Sequence, residues 1–308
     1  MAVVSIVVPV FNEEENIPLL VDAIRKASGP LAHTIEIIFV NDGSTDQSLQ
    51  VIRSLAAQDK RIKYISLSRN FGQQAAITAG LDHAEGDAII TMDADLQDPP
   101  ELIPEMIQAW QEGRDIVLMR RKHRHEGFFK RITAKLYYKL LNRFSEYKFP
   151  GDVGEFRLID KKVADELRLL KEKTRYLRGI IFWMGYTHCI IDYDRPNRIS
   201  GETGFSLLKM VRLGMHGILN FSLLPLRLGL ILGIGVILLG FLFLIYITLD
   251  ILINDVYYEL HKWLGVVTFI FTGFLFVLIW ILGEYIGKIY NEVKNRPIYL
   301  VREKGNLN

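Results

Sequence analysis

The chain has 308 residues, with 37 lysines and arginines against 35 aspartates and glutamates, for a net charge of +2. That length fits one or two domains, and the balanced charge, without a basic face interleaved with aromatics, speaks against a nucleic-acid partner. The single cysteine, Cys189, excludes an intramolecular disulfide and fits a reducing compartment.

In the first 200 residues, strand-like and helix-like runs alternate. Stretches 3–10, 35–40, 62–67, 88–92 and 116–119 are nearly continuous in Val and Ile, as in parallel strands buried on both faces. Amphipathic stretches 14–27, 46–58, 73–84 and 100–111 lie between them. This alternation predicts an α/β domain with a mostly parallel sheet and right-handed crossovers, its ligand beyond the carboxyl ends of the strands.

The polar loops fall at those ends. Pro9-Val10-Phe11-Asn12-Glu13-Glu14 follows the first run, Asn41-Asp42-Gly43-Ser44-Thr45-Asp46 the second, and Ser68-Arg69-Asn70-Phe71-Gly72 the third. The fourth leads into Asp93-Ala94-Asp95-Leu96-Gln97-Asp98-Pro99-Pro100. Two carboxylates one residue apart at a strand end suit a hard divalent cation, Mg²⁺ or Mn²⁺, shared with a diphosphate. Asp98 before two prolines reads as a helix cap. Arg69 suits either a phosphate or a structural ion pair.

Later, stretches 228–249 and 263–282 carry almost nothing but apolar residues, long enough to cross a bilayer. Neither is placed to be a signal peptide, and no targeting segment is expected before Val3. Basic residues flank the pair on the outside: Arg212 and Arg227 before, Lys288, Lys294, Arg296, Arg302 and Lys304 after. The intervening loop, 250–262, carries Asp250, Asp255 and Glu259 against Lys262. The asymmetry predicts two spans with both termini cytoplasmic and a short external loop. Glu284 is read as snorkelling, as paired with Lys288 one turn on, or as touching a lipid head group.

Taken in order, these motifs, with Gly154-Glu155-Phe156-Arg157-Leu158 and the two apolar stretches, resemble glycosyltransferase family 2. Within it they are most similar to the membrane-anchored polyprenyl-phosphate glycosyltransferases, which include bactoprenol glucosyltransferases and dolichyl-phosphate mannosyltransferases. The resemblance implies a cytoplasmic GT-A domain over residues 1–200, an interfacial segment over 201–225, two transmembrane helices over 226–290 and a cytoplasmic tail over 291–308. It implies a nucleotide-sugar donor, with Pro9, Phe11, Glu13 and Asp42 lining the base and ribose pocket, Arg69 beside a phosphate, and Asp93, Asp95 and Gln97 at the metal and diphosphate. Asp95, Glu155 and Arg157 become the catalytic candidates. Glu155 stands where the group often carries aspartate. It is read as a base, as a positioning group for Arg157 or the sugar, or as structural.

The implied reaction is inverting transfer of a hexose, first of all glucose from UDP-glucose, to a membrane polyprenyl phosphate such as undecaprenyl phosphate. The enzyme would sit in the inner membrane as a homo-oligomer, with a separate flippase downstream. GDP-mannose as donor and a catalytically silent membrane scaffold are the alternatives. Basic apolar stretches 128–143 and 205–221 suit the membrane surface. Arg121, Arg124, Arg131, Arg175 and Arg178 are candidates for a lipid phosphate. The segment Gly201-Glu202-Thr203-Gly204-Phe205 departs from relatives, which often place a basic residue at the position of Gly204, so that the metal, Arg198, Lys209 or another cation would have to serve the diphosphate.

Overall fold

The computed structural model describes residues 1–122, 153–170, 177–194 and 260–307, with Glu172, Arg175 and scattered positions between 235 and 253. Several expectations fall outside these residues: stretches 128–143 and 205–221, the segment around Gly204, Arg124, Arg131, Arg198 and Lys209. Most of stretch 228–249 and of the loop after it lies outside as well. The described positions between 235 and 253 are helical, and Leu238, Leu242 and Ile245 among them are exposed.

The chain divides into two compact units, one built on the sheet and one holding a long helix. In the first, strands β1 (Val3–Val10), β2 (Thr34–Asn41), β3 (Ile62–Leu67) and β4 (Ala88–Thr91) alternate with helices α1 (Asn16–Ser28), α2 (Ser48–Gln58) and α3 (Gln73–His83). A 3₁₀ turn, Pro100–Leu102, leads into α4 (Ile103–Gln111), followed by β5 (Ile116–Arg121). Then come β6 (Val153–Asp160), α5 (Lys161–Leu169), α6 (Leu177–Trp183) and β7 (His188–Tyr193). The chain finishes with α7 (Leu260–Val293) and β8 (Val301–Gly305).

One eight-stranded sheet takes the order β7-β5-β6-β4-β1-β2-β3-β8. Its centre, β3-β2-β1-β4, is parallel, as the apolar runs predict. β6 and β8 run antiparallel to their neighbours. The order reverses at β1, so the β1–β4 crevice is the topological switch point where such sheets bind ligands. One face packs Val4, Ile6, Val8 and Phe39 against Ile17, Leu20 and Ile24 of α1 and Met106 of α4. On the other, α3 lies so close that a Cβ at Gly80 would clash with Val7. Arg168 of α5 donates to the carbonyls of Leu81 and Ala84, serving backbone acceptors buried where α3 ends.

Two elements differ from the sequence expectation. The segment read as a tail contains β8, which pairs with β3 and is held by the Arg53–Glu303 pair (2.6 Å) and a Tyr299–Asp82 hydrogen bond (2.8 Å). The apolar stretch expected over 263–282 is part of a 34-residue helix, about 51 Å long at the α-helical rise. Within α7, Phe271–Val293 is the one segment among the described residues long and apolar enough to cross a membrane. Two such helices were expected. Thr268 and Thr272 donate their hydroxyls to carbonyls one turn back, which satisfies them inside the helix.

Candidate active site

The loops after β1 and β2 are pinned to each other. Asn12, with φ 57°, accepts the Thr45 amide at 2.8 Å and donates its own amide to Ser44 Oγ at 3.1 Å. The Glu13 amide donates to Ser48 Oγ at 2.9 Å, and its carboxylate accepts from Asn16 Nδ2 at 2.6 Å. Pro9 is half-buried at the end of β1, whereas Phe11 is 46% exposed, an aromatic face at the sheet edge.

Asp42 is buried at the end of β2, and its two oxygens accept the Phe71 amide (2.7 Å) and the Gly72 amide (2.9 Å). Burial pushes its carboxyl above the usual range even though both amides and Arg69 favour the charged form. The adjacent Gly43 has φ +69°, and a Cβ there would lie 2.6 Å from the backbone at Arg69 and Asn70. The β2 and β3 loops therefore approach as closely as glycine allows. Arg69 itself is exposed, with its guanidinium 4.1 Å from the Phe71 ring centroid and a hydrogen bond to the Asn70 carbonyl.

Beyond β4, the Asp93-Ala94-Asp95 turn is tightly organised. Gln73 Nε2 donates to Asp93 Oδ1 at 2.7 Å, and the Gln97 amide donates to Asp95 Oδ1 at 3.1 Å. Leu96 takes the left-handed conformation, φ 58°. Asp98 does not cap the following turn with its side chain. It is fully buried and accepts the Asp93 amide and the Tyr193 hydroxyl, each at 3.0 Å. Burial and the neighbouring Asp98 push the Tyr193 hydroxyl up to about 12, so it remains a donor at neutral pH. Arg121 donates Nε to that hydroxyl and lies 4.0 Å from Asp98.

Glu155 and Arg157 sit on β6. Alternation sends Phe156 into the core with Tyr193 at 5.9 Å and turns Glu155 and Arg157 to the α3 face. The register pairs Thr91 with Arg157, so its continuation sets Glu155 level with Asp93 at the same sheet edge. The Thr91 hydroxyl bonds the Glu155 carbonyl. Both charged side chains are buried. Glu155 pairs with Arg157 and accepts from Arg178 Nε (2.7 Å) and Gln74 Nε2 (3.0 Å). Consecutive residues at the start of α3, Gln73 and Gln74, thus hold Asp93 and Glu155.

The structure gathers Pro9, Phe11, Glu13, Asp42, Arg69, Asp93, Asp95, Gln97, Glu155 and Arg157 along one edge of the sheet. Motif reading missed Gln73, Gln74 and Tyr193, and gave Asp98 the role of a helix cap. Their one local signal is that both glutamines directly follow Gly72. Among the described residues no three His, Cys, Asp or Glu side chains converge as a ready metal cage. Two turn-borne carboxylates fit Mg²⁺ or Mn²⁺ all the same, because such ions commonly take one or two carboxylates and complete their shell with substrate phosphates and water.

Comparison with known proteins agrees with this geometry. Residues 5–168 match the model of glycosyl transferase family 2. The uncharacterized glycosyltransferase YkcC of Bacillus subtilis is 43% identical over 300 residues, covering 97% of this chain and 93% of that protein. A prophage-derived bactoprenol glucosyl transferase of Shigella flexneri is 40% identical over 301 residues, covering 97% of each. Among solved structures, the glucosyl-3-phosphoglycerate synthase from Mycobacterium tuberculosis, in complex with Mn²⁺, UDP and phosphoglyceric acid, superposes with a TM-score of 0.50 at 17% identity. The match covers 71% of this chain and 76% of that one, and shows a shared fold. With its parallel sheet, its Asp-x-Asp turn at the switch point and full-length relatives of this kind, the chain belongs to glycosyl transferase family 2.

Proposed function

We propose that this protein transfers glucose from UDP-glucose to a membrane polyprenyl phosphate, with inversion at the anomeric carbon. The observation that carries the reading is that Asp93 of the Asp-x-Asp turn and Glu155 are held by adjacent residues, Gln73 and Gln74, in a chain whose full-length relatives include proteins named bactoprenol glucosyl transferase.

Phe11 and Pro9 offer apolar surface to the base, while Glu13 offers a carboxylate to base or ribose. Asp42 acts mainly by locking the loop that presents Arg69 to a phosphate. Asp93 and Asp95, with Gln97, would hold Mg²⁺ or Mn²⁺, which when bound offsets charge on the departing diphosphate. The acceptor phosphate oxygen bonds to the anomeric carbon as the bond from that carbon to the UDP oxygen breaks, and UDP leaves with the electron pair. A phosphate monoester has its second pKa at about 6, so this nucleophile is largely ionised at neutral pH and needs no proton removed. Glu155, engaged by two guanidinium groups and an amide, is better suited to orient Arg178 and Arg157 than to accept a proton. Arg178 is one-third exposed and so remains open on the acceptor side.

The test is a panel of labelled nucleotide sugars offered to membranes containing the protein and undecaprenyl phosphate. Label from UDP-glucose should enter the organic phase as a phosphate-linked glucolipid. Labelling from GDP-mannose instead, or from no donor, would contradict the reading.

A further inference from the structure

Asp98 has no part in the proposed chemistry, yet it is the most completely enclosed carboxylate at the site. Its side chain is 0% exposed, and a carboxylate so placed persists only where its oxygens are satisfied. Its oxygens take the Asp93 amide and the Tyr193 hydroxyl, each at 3.0 Å, with Arg121 at 4.0 Å as countercharge. The bond to Asp93 closes a ring from residue 93 to residue 98. Within that ring Leu96 adopts φ 58°, a conformation that a branched L-residue does not favour unaided. The brace comes from distant strands, since Tyr193 ends β7 and Arg121 ends β5.

We infer that Asp98 is a positioning residue: braced by Tyr193 and Arg121, it fixes the Asp93–Asp95 turn in the conformation that presents both carboxylates to a divalent cation. The inference rests on the metal assignment made above. Gln73 holds the Asp93 side chain from one direction, and Asp98 holds its backbone from the other. Without Asp98 the turn would have to form its ligand geometry on binding, and metal affinity would fall.

Mn²⁺ binding to the purified full-length protein in detergent, titrated by electron paramagnetic resonance with UDP present, tests this without turnover. Asp98→Ala should weaken Mn²⁺ binding by about 10- to 100-fold, the usual effect of removing an outer-shell partner. Asp98→Asn keeps an oxygen for the Asp93 amide and should restore most of the affinity. Tyr193→Phe removes only the brace and should fall between Asp98→Ala and the wild type, which keeps the test decisive should Asp98→Ala not fold. Wild-type affinity in Tyr193→Phe, or in a folded Asp98→Ala, would overturn the inference, as would equal losses in Asp98→Asn and Asp98→Ala. Failure of the unmodified protein to bind Mn²⁺ would instead overturn the metal assignment, and this inference with it.

Discussion

Glu155 is buried and engaged by Gln74, Arg157 and Arg178 at once. Replacing it with glutamine keeps an acceptor for Arg178 and Gln74 but removes the carboxylate that faces the buried Arg157 guanidinium, and breaking a buried pair costs about 3–5 kcal/mol. We expect Glu155→Gln to lower thermal stability and slow transfer while leaving UDP affinity nearly unchanged. Its rate deficit should stay constant from about pH 6 upward, because the acceptor phosphate is already ionised there. A deficit that changes steeply across the acceptor's titration would restore Glu155 to the role of base. Local sequence located this carboxylate by its motif but not its partners. Gln73 and Gln74 lie 20 and 81 residues from the side chains they hold, a juxtaposition created only by sheet order. Asp98 misled for a similar reason: before two prolines it has the form of a cap, and the hydroxyl that claims it arrives from 95 residues away.

At the scale of elements, the parallel centre was readable because its strands are rich in Val and Ile with few polar interruptions, and the observed boundaries of β1 to β5 agree with the runs to within two residues. β6 was not readable as a strand. Its Glu155 and Arg157 interrupt the apolar pattern, and they are buried there as an ion pair, with Arg178 and Gln74 also bonded to Glu155. β8 was hidden too, since Val301-Arg302-Glu303-Lys304-Gly305 has the charge of an exposed edge, which is its position. Its hold on the domain is mostly backbone pairing with β3 and the Asn306 bonds to the Ala56 and Ile62 carbonyls. The Arg53–Glu303 pair is partly exposed, and such pairs contribute about 0.2–1 kcal/mol. Glu303→Ala should therefore shift thermal unfolding only slightly. Truncation before residue 297 should lower it by many degrees and promote aggregation through the uncovered β3 edge. Similar unfolding temperatures for the two variants would show that β8 is dispensable.

For the whole molecule, β8 constrains topology. It lies in the same sheet as the Asp-x-Asp turn, so residues 301–305 share a compartment with the catalytic edge. If α7 crosses the membrane once, the chain between residues 194 and 297 must cross an even number of times, and we propose the apolar stretch 228–249 for the second crossing. With a Cys189→Ala background, cysteines introduced at 255 or 258 should react with an impermeant reagent added from outside, while cysteines at 46 or 304 should not. Outside labelling at 46 or 304 would refute the arrangement. If the turn at the β1–β4 crevice is the catalytic centre, purified Asp95→Ala at saturating Mn²⁺ should transfer labelled glucose from UDP-glucose to undecaprenyl phosphate at least about 100-fold more slowly than the unmodified protein, since a lost ligand removes several kcal/mol of transition-state stabilisation. A rate within about threefold of the unmodified protein would show that the catalytic centre lies elsewhere.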